Sequence, residues 1–235
     1  MRRMKMLIVV VLIVHMVSAC VTTSFYKSDK LTAQESDRTV LLLPADVELS
    51  ELTAGGLTEI NAEWTAQAQR HIDTFLKKAL SERKAQLVRL ASASGDTNRL
   101  SKQVQILKLH GAVGRTILTH QYIPEMKLPT KGDKFEWTLG PETRLLREKY
   151  GARYGLFVYV RDSYTSAGRA VAMFLAAALF GVSLQGGTQL GFASLVDLDT
   201  GDIVWFNRLF RGHGDLRDEP GAEDTVKTLL ENFPT

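Results

Sequence analysis

The chain has one cysteine in 235 residues, Cys20, and that scarcity rules out any disulfide within it. The short signatures of common chemistries are missing as well. There is no G-x-S-x-G nucleophile elbow, since "GVSLQG" at 181–186 has the wrong spacing. Neither a P-loop nor a dinucleotide fingerprint occurs. His71, His110, His120 and His213 never fall at H-E-x-x-H or a similar zinc-holding spacing. Long apolar runs are lacking too. Leu7–Val14 and Ala170–Leu184 both stop short of the roughly 20 residues that a membrane-crossing helix needs. No cofactor or metal is implied by any of this.

What is present begins with "MVSACVTTS", residues 16–24. Arg2, Arg3 and Lys5 precede the apolar stretch Leu7–Val14, and small residues follow it, which is the layout of a secretory signal peptide over 1–19. Val17-Ser18-Ala19-Cys20 resembles a bacterial lipobox: an aliphatic residue, two small ones, then cysteine. The resemblance implies cleavage before Cys20, a thioether-linked diacylglycerol on its sulfur, and a third, palmitate-type chain on its amine. Two or three chains hold a protein stably, whereas one gives marginal binding at ~0.8 kcal/mol per buried methylene. A lipidated Cys20 leaves no thiol nucleophile. Val21, where an aspartate would retain the protein at the inner membrane, resembles the signal for transfer to the outer membrane. The expected address is the periplasmic side of that membrane. The alternatives are an ordinary signal peptide with a chance cysteine, or an uncleaved anchor.

Charge then loses its apparent meaning. The whole chain is formally +3, but Arg2, Arg3 and Lys5 leave with the signal. Removing these three from the 29 basic residues leaves 26, equal to the 26 acidic ones. A neutral mature chain gives no reason to expect a nucleic-acid partner. With 45% apolar residues, it can bury one sizeable core.

Residues 20–37 are polar and without periodicity, and read as a tether from the lipid to a single α/β domain over 38–235. Thr39–Leu43, closed by Pro44, is a strand candidate. In "TAGGLTEINAEWTAQAQRHIDTFLKKAL", residues 53–80, Leu57, Ile60, Trp64, Ala68, Ile72, Phe75 and Leu76 keep helical spacing. Gln86–Leu90 reads as a strand. A helix near Leu100 would bury Leu100, Val104, Leu107, Val113 and Ile117, weakened by Gly111 and Gly114. Ile123–Gly140 is a long loop carrying Phe135 and Trp137, and Pro141 opens a short helix ended by Gly151. "ARYGLFVYVRDSY" is a strand with Leu156, Val158 and Val160 on one face and Phe157 and Tyr159 on the other. "LGFASLVDLDTGDIVWFNRLF" is a hairpin turning at Asp199–Asp202, and "GAEDTVKTLLENFP" is a closing amphipathic helix. The fold class is therefore α/β: a small mixed sheet with helices packed against it.

The stretch "YGLFVYVRDSY…GFASLVDLDTGDIVWFNRL", with "LVDLDTGDIVW" (Leu195–Trp205) as its specific part, resembles the closing sheet of the curli-secretion lipoprotein and TolB amino-terminal-like superfamily. The resemblance implies an envelope α/β domain that assembles or recruits partners without performing chemistry.

Between that strand and the hairpin lies an apolar insertion near 167–187, in which only Ser183 is polar from Ala170 to Leu184. As a helix it would be roughly 22 Å long. It reads first as a buried helix within the fold. The second reading makes it a surface that meets another subunit or dips into the bilayer, with Met173, Phe174, Leu175, Leu179 and Phe180 as the interaction residues, and a true span is the third. The curli-secretion protein sends a membrane hairpin from the corresponding gap, but with alternating β sequence. The continuous apolar run here departs from that pattern.

"RGHGDLRDEP" gathers Arg211, His213, Asp215, Arg217 and Asp218, and such a cluster reads as a solvated loop. The expected function is that of a lipid-anchored envelope protein, not an enzyme, working by partner binding or homo-oligomer assembly in envelope assembly, secretion or export. One alternative is a tethered regulator of a periplasmic or peptidoglycan-synthesis enzyme. Another is a hydrolase using His213 or Asp215.

Overall fold

The computed structural model describes residues 22–27, 39–83, 86–89, 97–180, 186–212 and 214–234. Cys20, the signal segment 1–19 and His213 lie outside the described residues. The order of elements is β1 (Thr22–Lys27), β2 (Thr39–Leu42), β3 (Asp46–Leu52), β4 (Thr58–Ile60), α1 (Ala62–Glu82), β5 (Gln86–Arg89), α2 (Thr97–Tyr122), α3 (Arg144–Tyr150), β6 (Tyr154–Thr165), α4 (Ala167–Phe180), β7 (Gln189–Asp197), β8 (Ile203–Arg211) and α5 (Glu219–Leu229). The eight strands form one mixed sheet in the order β1-β8-β7-β6-β2-β5, with β3 on the outer half of β6 and β4 beside it.

Alternation along β6 sets the layers. Leu156, Val158 and Val160 point to one face, where Ile72, Leu76 and Leu80 of α1 and Val226 and Leu229 of α5 cover them. Phe157 and Tyr159 point to the other, under Ile106 and Ile117 of α2, Leu146 of α3 and Phe135. The result is a three-layer α/β/α arrangement, the mixed α/β class that the element pattern implies.

Several local expectations are corrected. Leu57 and Ile60 do not belong to α1. They sit exposed on the β3–β4 hairpin, because Gly56 (φ 85°) turns the chain and Asn61 then caps α1 by accepting from the Trp64 N–H at 3.0 Å. On α2 the buried stripe is Gln103, Ile106, His110 and Ile117, while Val104 is exposed. The glycines choose that face. Gly111 and Gly114 lie against the Tyr159 and Phe192 rings, where a larger residue would hold the helix off the sheet. The polar members of the stripe find partners: Gln103 donates to the Tyr150 hydroxyl at 2.8 Å, and the His110 ring meets Ser194 Oγ at 2.9 Å.

The expected tether is corrected in part. Thr22–Lys27 is strand β1, antiparallel to β8. Threonines and aromatics suit a pleated strand, and β8 would otherwise present an open edge. Tyr26 stacks on Phe135 with ring centroids 5.3 Å apart, which also fastens the 123–140 loop. That loop is tied at its far end by the Leu139 N–H to the Gly201 carbonyl, 2.8 Å, and the Ile203 N–H to the Trp137 carbonyl, 2.9 Å.

Candidate functional site

Two neighbouring features stand out at the end of the sheet where β6 finishes. The first is α4. Ser166 caps it, accepting from the Arg169 N–H at 3.1 Å. The helix rests on the fold through Arg169, Ala172, Met173 and Ala176, which are only partly buried. Outward it shows Val171, Phe174, Leu175 and Leu179, exposed by 59%, 71%, 47% and 69%. The buried-helix reading of this segment is thereby overturned. The physical reason lies in residue size: half of the stripe that touches the fold is alanine, whereas most of the large apolar side chains face out. Fully burying each of these would be worth about 1.5–3 kcal/mol, so leaving four in water is costly. The expected interaction residues Phe174, Leu175 and Leu179 thus share an open surface, and Met173 turns inward toward Gly186. The side chain of Phe180 lies outside the described residues. Val171 belongs with the open group, and its spacing from Phe174 and Leu175 in the sequence was the available signal. At 14 residues α4 is roughly 21 Å long. Among the described residues no helix is long and apolar enough to cross a membrane.

The second feature is a polar network between α1, α5 and the ends of β6, β7 and β8. Asp162 continues the inward face of Leu156, Val158 and Val160 and is buried. It accepts from the Tyr164 hydroxyl at 2.6 Å and from Gln189 Nε2 at 2.7 Å. Tyr164 Oη in turn accepts from the Leu216 N–H at 2.8 Å. Gln189 Oε1 accepts from Arg211 Nε at 2.8 Å and from Thr225 Oγ1 at 3.1 Å. Arg211 also donates to Thr225 Oγ1 at 2.7 Å and pairs with Asp224. Burial pushes the Asp162 carboxyl up to about 6, against the lowering effect of its hydrogen bonds from Tyr164 and Gln189. A cavity of 180 Å³ opens beside it, lined by Ser163, Thr165, Gly187, Thr188 and Gly214 among others.

The solvated-loop reading of 211–220 is corrected here. Arg211 is buried, Asp215 pairs with Arg217 at 2.6 Å, and Asp218 caps α5 by accepting from the Gly221 N–H at 2.8 Å. Arg217 also stacks 3.9 Å over the Tyr164 ring. Donors and acceptors in this network are engaged with one another, so its evident work is to weld the β8–α5 loop onto the sheet. The signal for it was legible in principle: a carboxylate at the one position where alternation calls for an apolar residue.

Elsewhere, a groove of 540 Å³ between α1 and α5 carries Lys78, Arg83 and Lys227 opposite Glu82, Glu223 and Asp224, with no excess of one sign. Among the described residues no three His, Cys, Asp or Glu side chains come together as a metal site.

No family model matches the chain, and no curated protein does. Among solved structures it is similar to the PelC dodecamer from Paraburkholderia phytofirmans, at 13% identity over 90% of this chain and 95% of that one, with a TM-score of 0.38. A point variant of the same PelC dodecamer gives 12% identity over 90% and 96%, with a TM-score of 0.36. Scores below 0.5 transfer neither fold nor role.

Proposed function

We propose that the mature protein starts at Cys20, carries acyl chains there, and serves as an outer-membrane lipoprotein on the periplasmic side. It works by binding partners or by self-assembly in envelope assembly, secretion or export, and not by catalysis. The observation that carries this reading is Val17-Ser18-Ala19-Cys20 behind a charged and apolar leader. Two structural features favour it over the alternatives. A tethered regulator needs reach, yet β1 takes Thr22–Lys27 into the sheet, leaving only Val21, a reach of roughly 7 Å, between Cys20 and the fold. A hydrolase built on Asp215 would need a free carboxylate, and that side chain is held by Arg217, whose hydrogen bonds lower its pKa. The outward face of α4 supplies a surface suited to association.

Cys20→Ser tests the anchor. The substitution is expected to abolish palmitate labelling, and continued labelling would count against the anchor. Mass spectrometry finding an unacylated start at Met1 in the wild type would refute the reading. Sizing the solubilised, lipidated protein then separates the roles: a defined multimer favours self-assembly, and a monomer that co-purifies with one inner-membrane enzyme favours the regulator.

A further inference from the structure

The register of the sheet decides which of its ends coincide. Thr22 lies opposite Phe210, Phe210 opposite Leu190, and Leu190 opposite Arg161, so these four residues form one row across β1, β8, β7 and β6. The chain enters β1 at Thr22, from the direction of Cys20. It leaves β6 for α4 at Thr165, four residues past Arg161 at the same end. Three strand spacings set the two ends of the row roughly 14 Å apart, and α4 begins roughly 13 Å farther out along the strand direction. The β7–β8 turn at Thr200 is at the opposite end, roughly 30 Å away along the nine-residue strand β7.

From this placement we infer that α4 is a second, non-covalent membrane anchor, lying flat in the same leaflet that receives the acyl chains of Cys20, with Val171, Phe174, Leu175 and Leu179 among the lipid tails. The inference rests on the reading of Cys20 as lipidated. Three observations select lipid as the occupant. The exit of the chain toward Cys20 and the start of α4 share one end of the sheet, so a bilayer holding the lipid is within reach of the helix. From Ala170 to Phe180 the helix carries no charged or hydrogen-bonding side chain that would orient a protein partner. Its length suits an interfacial position and is too short for a crossing. An interfacial helix ordinarily has a charged face turned to water; here the opposite face is turned to the protein, where Gly168 comes close to Ala54 and Met173 to Gly186. Two anchors on one end also fix orientation. Sheet end down, the Thr200 turn points away from the membrane.

The test uses the full-length lipidated protein in vesicles of phosphatidylethanolamine and phosphatidylglycerol. Because Cys20 is the sole cysteine and is occupied by lipid, Phe174→Cys and Thr200→Cys each provide one thiol for an environment-sensitive fluorophore. The amino-terminal mass is measured on the same samples. The expected result is a blue-shifted label at 174 that brominated acyl chains quench, and a label at 200 that they do not. A water-exposed label at 174 in acylated protein overturns the inference and leaves the lipid anchor standing. So does a blue-shifted label that lipid does not quench, which would mean that a second copy covers α4. If the amino terminus proves unacylated, the reading of Cys20 fails separately, and the label at 174 is then read in the Cys20→Ser protein, where it again decides the place of the helix. As an independent measure, Phe174→Ser with Leu179→Ser, made in the Cys20→Ser protein, is expected to weaken vesicle binding about a hundredfold or more. Unchanged binding would refute the role of that face.

Discussion

Asp162 sits where a valine or leucine would continue the inward face of β6, and its burial there gives it a pH signature. Burial raises its folded pKa to about 6, above the ordinary 3.8, so the folded state holds this proton more tightly than the unfolded chain does. Its contribution to stability is therefore greatest below about pH 4 and is lost as pH rises through about 6. Tyr164 and Gln189 bond it, and Arg211 and Asp215 act on it electrostatically. Asp162→Asn keeps an acceptor for Tyr164 and cannot ionise. The Tm of the wild type minus that of the variant is expected to fall between pH 4.5 and 7 by scanning calorimetry, and a flat difference would contradict the assignment. The comparison must be a difference because His110 acts the other way. Burial pushes its pKa down to about 3, so its contribution is lost as pH falls from about 6.5 toward 3. The residue order hinted that Asp162 faces inward, but it gave neither its partners nor those of His110. The carboxylate and the imidazole owe their shifted pKa values to burial under elements distant in the chain, and their hydrogen-bond partners, Gln189 for one and Ser194 for the other, are equally remote.

At the scale of elements, α2 shows how periodicity names a helix yet misplaces its face. Apolar residues are spread around it, and counting them selects Val104, which is exposed. Contact is decided by Gly111 and Gly114, whose missing side chains let the helix settle on Tyr159 and Phe192. A methyl group built at Gly114 would collide with the Phe192 ring, whereas one at Gly111 would lie 3.2 Å from the edge of Tyr159. Gly114→Ala is expected to destabilise the protein by about 1–3 kcal/mol in urea unfolding, despite the gain of about 1 kcal/mol in helix propensity. Gly111→Ala should cost less. Equal or increased stability at position 114 would mean that the close approach is not needed. β6 and the β7–β8 hairpin, by contrast, were fully legible. A run of branched and aromatic residues apolar on both faces and the Asp199–Asp202 turn, with Gly201 at φ 82°, are local properties of the chain. β3 was missed because its two inward residues, Val47 and Leu49, are too few to stand out between charged neighbours.

The molecule as a whole is an open mixed sheet with β5 at one edge and, at the other, its own amino-terminal strand covering β8. β1 supplies the last row of hydrogen bonds to β8 and brings Tyr26 onto Phe135 and Tyr122. Removing residues 22–27 while retaining the lipid-bearing start is expected to leave β8 as an open edge and to cause aggregation seen by light scattering. Tyr26→Ala should spare the strand but cost about 1–3 kcal/mol of stability through the lost aromatic packing. A truncated protein that stays monomeric and as stable as the full chain would show that β1 is dispensable. The same strand ties location to shape, because it ends two residues from the proposed acylation site and at the end of the sheet that carries α4.

The residue order by itself determined the α/β class, the helices α1 and α5, the central strand, the hairpin and the lipobox-like leader. Each of these is written in neighbouring residues, as a spacing, a cap or a turn. Only the tertiary structure decided that β1 joins β8, that Arg211 is buried, that the glycine face of α2 meets the sheet, and that the large side chains of α4 point outward. Those outcomes depend on which distant segments share space. A local pattern can say that a face is apolar, but the partner that covers it, or the lack of one, is settled only when the whole chain is packed.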